Sequence, residues 1–293
     1  MRFRTEYKAE KAIFSLDPGK PLVLLGSCFS QNMAKKMEDH LWEAVNPAGT
    51  LYNPISIYKA VELLLTGDTK KFEQSLFEFN GIWNSRYFDS SFSSRNRIDS
   101  IEEFNNRSRQ FQDKLKEGRQ LIVTFGTSIC YCSAENDEVV GNCHKLPSPN
   151  FYTRRMVPEE IGRLWKEMID RLNVAIPDIR IVFTVSPVRH LKNGFVGNSR
   201  SKAVLQLGVE EICVNRENCC YFPAYEILND DLRDYRFYAS DLAHPSEEAI
   251  EYIWEKFLET FVDSAGFRLL EEGAKRVKSA RHRPHPGALG KSL

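Results

Sequence analysis

The sequence predicts an α/β protein: a three-layer α/β/α sandwich around a mostly parallel sheet of about five strands, with an inserted hairpin or loop. Three observations carry this. Short apolar runs alternate with segments whose apolar residues recur at helical spacing, through most of the chain. Several of those runs, among them Leu22–Leu25, Gln120–Phe125 and Ile179–Val185, lead directly into Gly or Ser. That is the pattern of buried strands delivering loops to one rim. Finally, 293 residues with 42% hydrophobic content suffice for one large α/β core.

In chain order, residues 1–20 read as an extended lead-in with a turn at Asp17-Pro18-Gly19. Pro21–Leu25 is a strand, Gly26-Ser27 a tight turn, and Phe29, Met33 and Met37 share one face of a helix that ends near His40. Leu41–Val45 reads as a second short strand. A loop rich in Asn, Pro and Gly follows, Asn46–Pro54, and then a helix at Ser56–Leu65. Residues 67–98 change character: Phe72, Phe77, Trp83, Tyr87 and Phe92 lie among Ser, Asn and Arg, and Asn80-Gly81 marks a hairpin. Two roles stand open for this insertion, covering a substrate pocket or packing the flank of the sheet.

Ile101–Glu117 carries Phe104, Phe111 and Leu115 at helical spacing. The strand Gln120–Phe125 then runs into Gly126-Thr127-Ser128, and residues 129–157 read as a long irregular stretch holding Cys130, Cys132, Asn142, Cys143 and His144. Pro158 occupies the favoured first position of a helix to about Asn173. The strand Ile179–Val185 ends in the loop Ser186-Pro187-Val188-Arg189-His190. Ser199–Asn215 is helical, Cys219–Pro223 is a last strand and Ala224–Asp230 is helical. Ser246 caps a closing helix, Ser246–Val262. The expected organisation is one domain over residues 1–265, with the insertion at 67–98, and a basic tail over 266–293. From Gly273 onward the chain has no acidic residue and reads as solvated.

Composition removes several function classes. Lys+Arg and Asp+Glu balance at 40 each, so no whole-chain basic field exists for nucleic acid. No apolar run approaches a membrane span, which argues against integral membrane contact. The first residues lack the apolar core of a signal peptide, so a cytoplasmic location is expected. Seven cysteines, an odd number without framework spacing, are expected as free thiols. Cys130, Cys132, Cys143 and His144 follow none of the paired zinc spacings, so no metal and no cofactor is expected.

The chemistry gathers at two distant stretches. Ser27 stands where a strand ends and a helix begins, where backbone N–H groups lack partners and the helix dipole favours negative charge. Its hydroxyl can attack a carbonyl carbon there, or simply cap the helix. Cys28, one residue on, is expected to point into the core. Gly49 can present an N–H to an oxyanion without side-chain obstruction. Near the other end, Asp241 and His244 are three residues apart just before the last helix. A carboxylate so placed fixes the imidazole tautomer, and the imidazole can move a proton to and from a nucleophile.

Together, Gly26-Ser27-Cys28-Phe29-Ser30, Asn46-Pro47-Ala48-Gly49-Thr50-Leu51-Tyr52-Asn53-Pro54-Ile55, Ser186-Pro187-Val188-Arg189-His190 and Asp241 to His244 resemble the GSCFA domain family, within the SGNH (GDSL-like) hydrolase superfamily. The likeness runs from about Phe14 to Phe261; the family's fifth motif residue, Ala, is here Ser30. The resemblance implies Ser27 as nucleophile, with Asp241 and His244 completing a triad and the N–H groups of Ser27 and Gly49 in the oxyanion hole. The superfamily's Gly-x-Asn-Asp block is missing after Phe125, and Asn142 is the candidate replacement for its Asn. The expected function is a serine-dependent esterase or acyl hydrolase, with transfer to another acceptor left open. Its substrate would be a small-molecule or glycan ester. The alternative is a silent protein of the same fold that holds a glycan or small anion at the rim.

Overall fold

The structure, a computed structural model, describes residues 4–281. Its centre is a five-stranded, all-parallel sheet. In chain order the strands are β1 (Leu22–Gly26), β2 (Ala44–Val45), β5 (Gln120–Phe125), β9 (Arg180–Val185) and β10 (Cys219–Phe222), and they lie side by side as β10-β9-β5-β1-β2. The chain leaves β1 toward one edge and returns to build the other, so the strand order reverses between β1 and β5. Open α/β sheets bind ligands outside the carboxyl ends of the strands at such a reversal. The expected α/β sandwich is therefore the fold.

Alternation along the strands divides the core between two faces, because successive side chains of a strand point to opposite sides. Val23, Leu25, Leu121, Val123, Phe125, Ile181, Phe183 and Val185 all enter one cluster. There they meet α2 (Pro54–Thr66), α4 (Arg97–Gly118), α5 (Pro158–Ala175) and α6 (Gly194–Cys213), through residues such as Ile57, Phe111, Trp165 and Leu205. Leu22, Leu24, Ile122 and Val182 enter the other cluster with α1 (Cys28–Asp39) and α8 (Glu247–Phe261), where Phe29, Met33, Trp254 and Phe257 pack. Burying one such side chain contributes roughly 1.5–3 kcal/mol, so the double-sided strands are the main stabilising element.

The structure departs from the sequence reading in several places. The second strand is only Ala44–Val45: Leu41 has φ 58°, and Trp42 turns inward to donate from its indole N–H to the Lys20 carbonyl at 3.0 Å. The insertion forms a short helix α3 (Thr69–Ser75) and the antiparallel pair β3 (Leu76–Phe79) and β4 (Ile82–Ser85), turned at Asn80-Gly81. Residues 129–157, expected to be irregular, contain a second small sheet. Its strands β6 (Ile129–Ser133), β7 (Val139–Val140) and β8 (Phe151–Arg155) are antiparallel. The alternation of this sheet is masked in the sequence by cysteines and by an exposed outer face. α6 begins five residues earlier than its apolar pattern, at Gly194, on the exposed Phe195 and Val196. Ala224 opens a short helical turn, α7 (Ala224–Glu226), that widens to a π turn over Ile227–Leu232.

The segment after residue 265 is not a solvated tail throughout. Helix α9 (Ser264–Arg281) packs on α1 with Leu270 and Gly273 buried. Gly273 is required there, since a Cβ would lie 2.1 Å from the His40 carbonyl oxygen. Arg283 and Lys291, part of the basic stretch, lie outside the described residues. All seven cysteines are unbridged. Among the described residues no helix is long and apolar enough to cross a membrane.

Candidate active site

Gly26 ends β1 opposite Thr124 of β5, with φ 121°. A Cβ there would sit 2.0 Å from the Thr124 carbonyl oxygen, so only glycine allows the chain to turn between two paired strands. The turn starts α1 at once, and Cys28 is its first helical residue. Among the described residues the Cys28 N–H has no hydrogen-bond partner, as expected for a first-turn amide. The Cys28 side chain does not enter the core. Its sulfur lies 3.5 Å from His244 Nε2, across 216 positions of sequence.

The turn before α8 aims that imidazole. Asp241 Oδ1 accepts the N–H groups of Ala243 and His244 at 2.9 and 3.0 Å, and its Oδ2 pairs with His244 Nδ1 at 2.6 Å. One carboxylate thus folds the turn and fixes the ring. With Nδ1 donating to Asp241, the Nε2 lone pair is left for the sulfur. The Ser186–His190 loop braces the turn: Arg189 N–H donates to Ala243 O at 3.0 Å, and its guanidinium lies 4.1 Å from the centre of the Tyr238 ring. The His244 and Asp241 side chains are 47% and 50% exposed, so the pair opens to solvent rather than into a closed cavity. The N–H groups of His244 and Ala243, then the imidazole, hold the Asp241 carboxyl down at about 2. Burial pushes the Cys28 thiol up, while the N–H groups of Cys28 and Phe29 and the charge of Lys202 pull the other way.

Asp241 and His244 therefore stand together, and the side chain that meets His244 Nε2 is that of Cys28 rather than Ser27. Ser27 is 2% exposed, and its hydroxyl accepts the Phe29 N–H at 3.4 Å as the cap of α1. The cause is helical geometry. The cap residue turns its side chain back over the first-turn amides, while the next residue projects from the helix start toward the rim. The position of Cys28 just inside a helix start was the available sequence signal.

Gly49 lies beside this rim, because Leu51 N–H donates to Gly26 O at 3.0 Å and Thr50 bridges to Gly26. It has φ 70°, and a Cβ would stand 2.5 Å from Asp89 Oδ1. The Asp89 carboxylate holds the loop by accepting Thr50 N–H at 2.7 Å. The N–H of Gly49 itself has only a long 3.5 Å contact to Asn46 O.

Asn142 does not join this group. Its Oδ1 accepts the His144 N–H at 2.8 Å, and it makes no hydrogen bond to Cys28, Gly49 or His244. It instead lines a separate cavity of about 470 Å³ with Phe77, Arg86 and Phe151. Among the described residues the aromatics of the insertion make no hydrogen bond to Cys28 or His244. Trp83 carries Arg97 over its ring, and Tyr87 donates to Glu138 at 2.6 Å. Asp89, which carried no signal in the sequence, ties this segment to the Gly49 loop at the rim.

His144 is buried with Nε2 at 2.7 Å from Ser85 O, and burial lowers its pKa. Cys130 is buried in β6, and burial pushes its thiol up to about 12. Among the described residues no group of three His, Cys, Asp or Glu side chains is placed to hold a metal ion.

No curated protein matches the chain. Among solved structures, LAE5, an alpha/beta hydrolase enzyme from the metagenome of Lake Arreo, Spain, is similar at 11% identity and a TM-score of 0.43. The match covers 89% of this chain and 99% of that one. The GSCFA family model matches residues 21–257, from the strand before the Gly-Ser turn to the last helix of the sandwich. The chain belongs to the GSCFA family, a relative of the SGNH hydrolases.

Proposed function

We propose that the chain is an acyl hydrolase or acyltransferase that works through Cys28, His244 and Asp241, acting on an ester or thioester. One observation carries the reading: a single imidazole has its Nδ1 on the Asp241 carboxylate at 2.6 Å and its Nε2 3.5 Å from the Cys28 sulfur. The thiolate is the nucleophilic form of cysteine. Burial raises the resting thiol, so the proton stays on sulfur until substrate arrives and His244 Nε2 takes it during attack. The sulfur bonds to the acyl carbon, and the carbonyl π electrons move onto oxygen. The Cys28 N–H and the Gly49 N–H are the two donors for that oxyanion. As the carbonyl re-forms, the bond to the leaving alcohol or thiol breaks, and His244 returns the proton to it. Water or another hydroxyl, deprotonated by the same imidazole, then attacks the thioester, and the thiol is regenerated as the new acid or ester departs.

The half-exposed His244 and Asp241 allow a bulky acyl carrier, such as a carbohydrate, to approach. Iodoacetamide labelling tests the nucleophile without knowledge of the substrate. One carbamidomethyl group is expected on Cys28, with turnover of p-nitrophenyl acetate lost as it forms. Unlabelled Cys28 together with no ester turnover would leave the silent-binder alternative in its place.

A further inference from the structure

Lysine is rarely buried without a paired charge, because the ammonium loses its hydration. Lys202 on α6 is 1% exposed and has no ion-pair partner among the described residues. It lies on the apolar stripe of its helix, one turn before Leu205, two before Val209 and three before Ile212. An apolar residue there would continue the core, so the ammonium is retained against a large desolvation cost.

Its contacts lead to the candidate site. Lys202 Nζ donates to Gly126 O and to Ser186 O, both at 2.7 Å. Those carbonyls follow the ends of β5 and β9, on the rim that carries Cys28. Gly126 touches the nucleophile turn directly, since a Cβ on it would stand 3.3 Å from Ser27 Cβ. The neighbouring Ser201 hydroxyl accepts Ser128 N–H at 2.8 Å, so consecutive α6 residues fasten the same loop. An ammonium has three N–H donors, and only two acceptors are found for it among the described residues. The charged and titratable groups facing it are Cys28 from α1, Glu226 with the Tyr225 ring from α7, and His190 from the loop after β9. Glu226 is already engaged by Tyr221 and Gln206. Cys28 is the leading group favouring the charged lysine, and Lys202 is the leading charge favouring the thiolate.

We propose that Lys202 is a positioning residue for Cys28: its buried ammonium clamps the strand ends at Gly126 and Ser186 beneath the turn that carries Cys28. The inference rests on the reading of Cys28 as nucleophile. Burial brings Lys202 down to about 7, so the clamp keeps its charge below neutrality and loses it as pH rises.

The test is turnover of p-nitrophenyl acetate in wild type, Lys202→Met and Lys202→Arg, read as kcat and KM against pH. Lys202→Met is expected to lower kcat by about tenfold with KM within about twofold of wild type. Lys202→Arg, which keeps the charge and the donors, is expected to recover most of kcat and to hold it above neutrality, where the wild-type lysine loses its proton. A folded Lys202→Met protein with wild-type kcat would overturn the proposal.

If Lys202→Met does not fold, a wild-type measurement decides. The lysine 13Cε resonance that titrates near neutrality is followed beside kcat on the same preparation. A fall of kcat over the pH range in which the resonance titrates is expected, and a kcat unchanged across it would overturn the inference. Failure of Cys28 to react with iodoacetamide would instead strike the proposed nucleophile.

Discussion

The Ser27 and Cys28 side chains are adjacent in sequence but meet different partners, and paired substitutions separate the roles proposed for them. Ser27→Ala removes the acceptor of a 3.4 Å bond from Phe29 N–H and leaves the backbone path of β1, Gly26 and α1 untouched. Loss of a cap costs about 0.5–2 kcal/mol, and so long a bond belongs at the lower end. For a domain of this size that is a fall in Tm of about 2–4 °C per kcal/mol, while kcat/KM for p-nitrophenyl acetate should stay within about threefold of wild type.

Cys28→Ala has the reverse signature. It removes the atom 3.5 Å from His244 Nε2 but no hydrogen bond that holds the fold, so stability should change little. Deleting the nucleophile of a coupled triad costs orders of magnitude, so turnover should drop by about 10³-fold or more. The assay is a melting curve beside a steady-state ester assay on the same preparations. Loss of activity in Ser27→Ala with its melting point intact would refute the assignment. So would full activity in Cys28→Ala.

Further outcomes follow from the same geometry. Asp241→Asn should lower kcat/KM by about 10³- to 10⁴-fold with a normal circular dichroism spectrum, because the amide can leave the imidazole in the wrong tautomer. Asp241 itself is held near 2, below its ordinary value of 3.8, so the stability it contributes is present above 3.8 and lost only as pH falls through about 2. Its carboxyl 13C shift should therefore stay flat between about pH 4 and 8, and any acid limb of activity in that window belongs to another group. Gly49→Ala should destabilise more than Gly81→Ala in urea titrations. Both residues have positive φ, but a Cβ at Gly49 meets Asp89 Oδ1 at 2.5 Å, whereas at Gly81 nothing lies within 4 Å. Gly81→Ala should cost about 1 kcal/mol and leave activity alone; Gly49→Ala should exceed that and lower kcat as the loop shifts. Arg189→Ala should lower kcat more than it raises KM, by loosening the turn that aims His244, with no change in the alkylation midpoint of Cys28.

The sheet was legible because its strands are buried on both faces. Leu22–Leu25, Leu121–Phe125 and Ile181–Val185 have no polar face that could suggest another register, and their Gly or Ser endings marked the rim. The antiparallel sheet over residues 129–155 was not legible for the opposite reason. Its middle strand buries Cys130 and Cys132 but exposes Tyr131 and Ser133 only partly, and its partner β8 is mostly outward-facing. Without a strong apolar alternation, Asn142, Cys143 and His144 read as a cluster of chemistry rather than the turn that follows a short strand. Helix α9 was hidden by charge: Leu270 is its only buried apolar side chain, too little to outweigh a run of Lys and Arg.

At the site, residue types gave Asp241 and His244, and helical geometry decides which side chain meets them. Asp241 and His244 could be read because three-residue spacing before a helix closes a turn whatever lies around it. Choosing between Ser27 and Cys28 depended on which residue is the cap and which is the first in the helix, a difference of one position that moves a side chain from the inside of a turn to the rim. The placement also suits the chemistry. A thiol loses its proton more readily than a hydroxyl, so an open, half-hydrated histidine is a sufficient base for cysteine where serine asks for a better shielded one. The Gly126 and Ser186 carbonyls at the ends of the neighbouring strands are held together by the buried Lys202 ammonium, so a turn open to solvent on one side is braced from within.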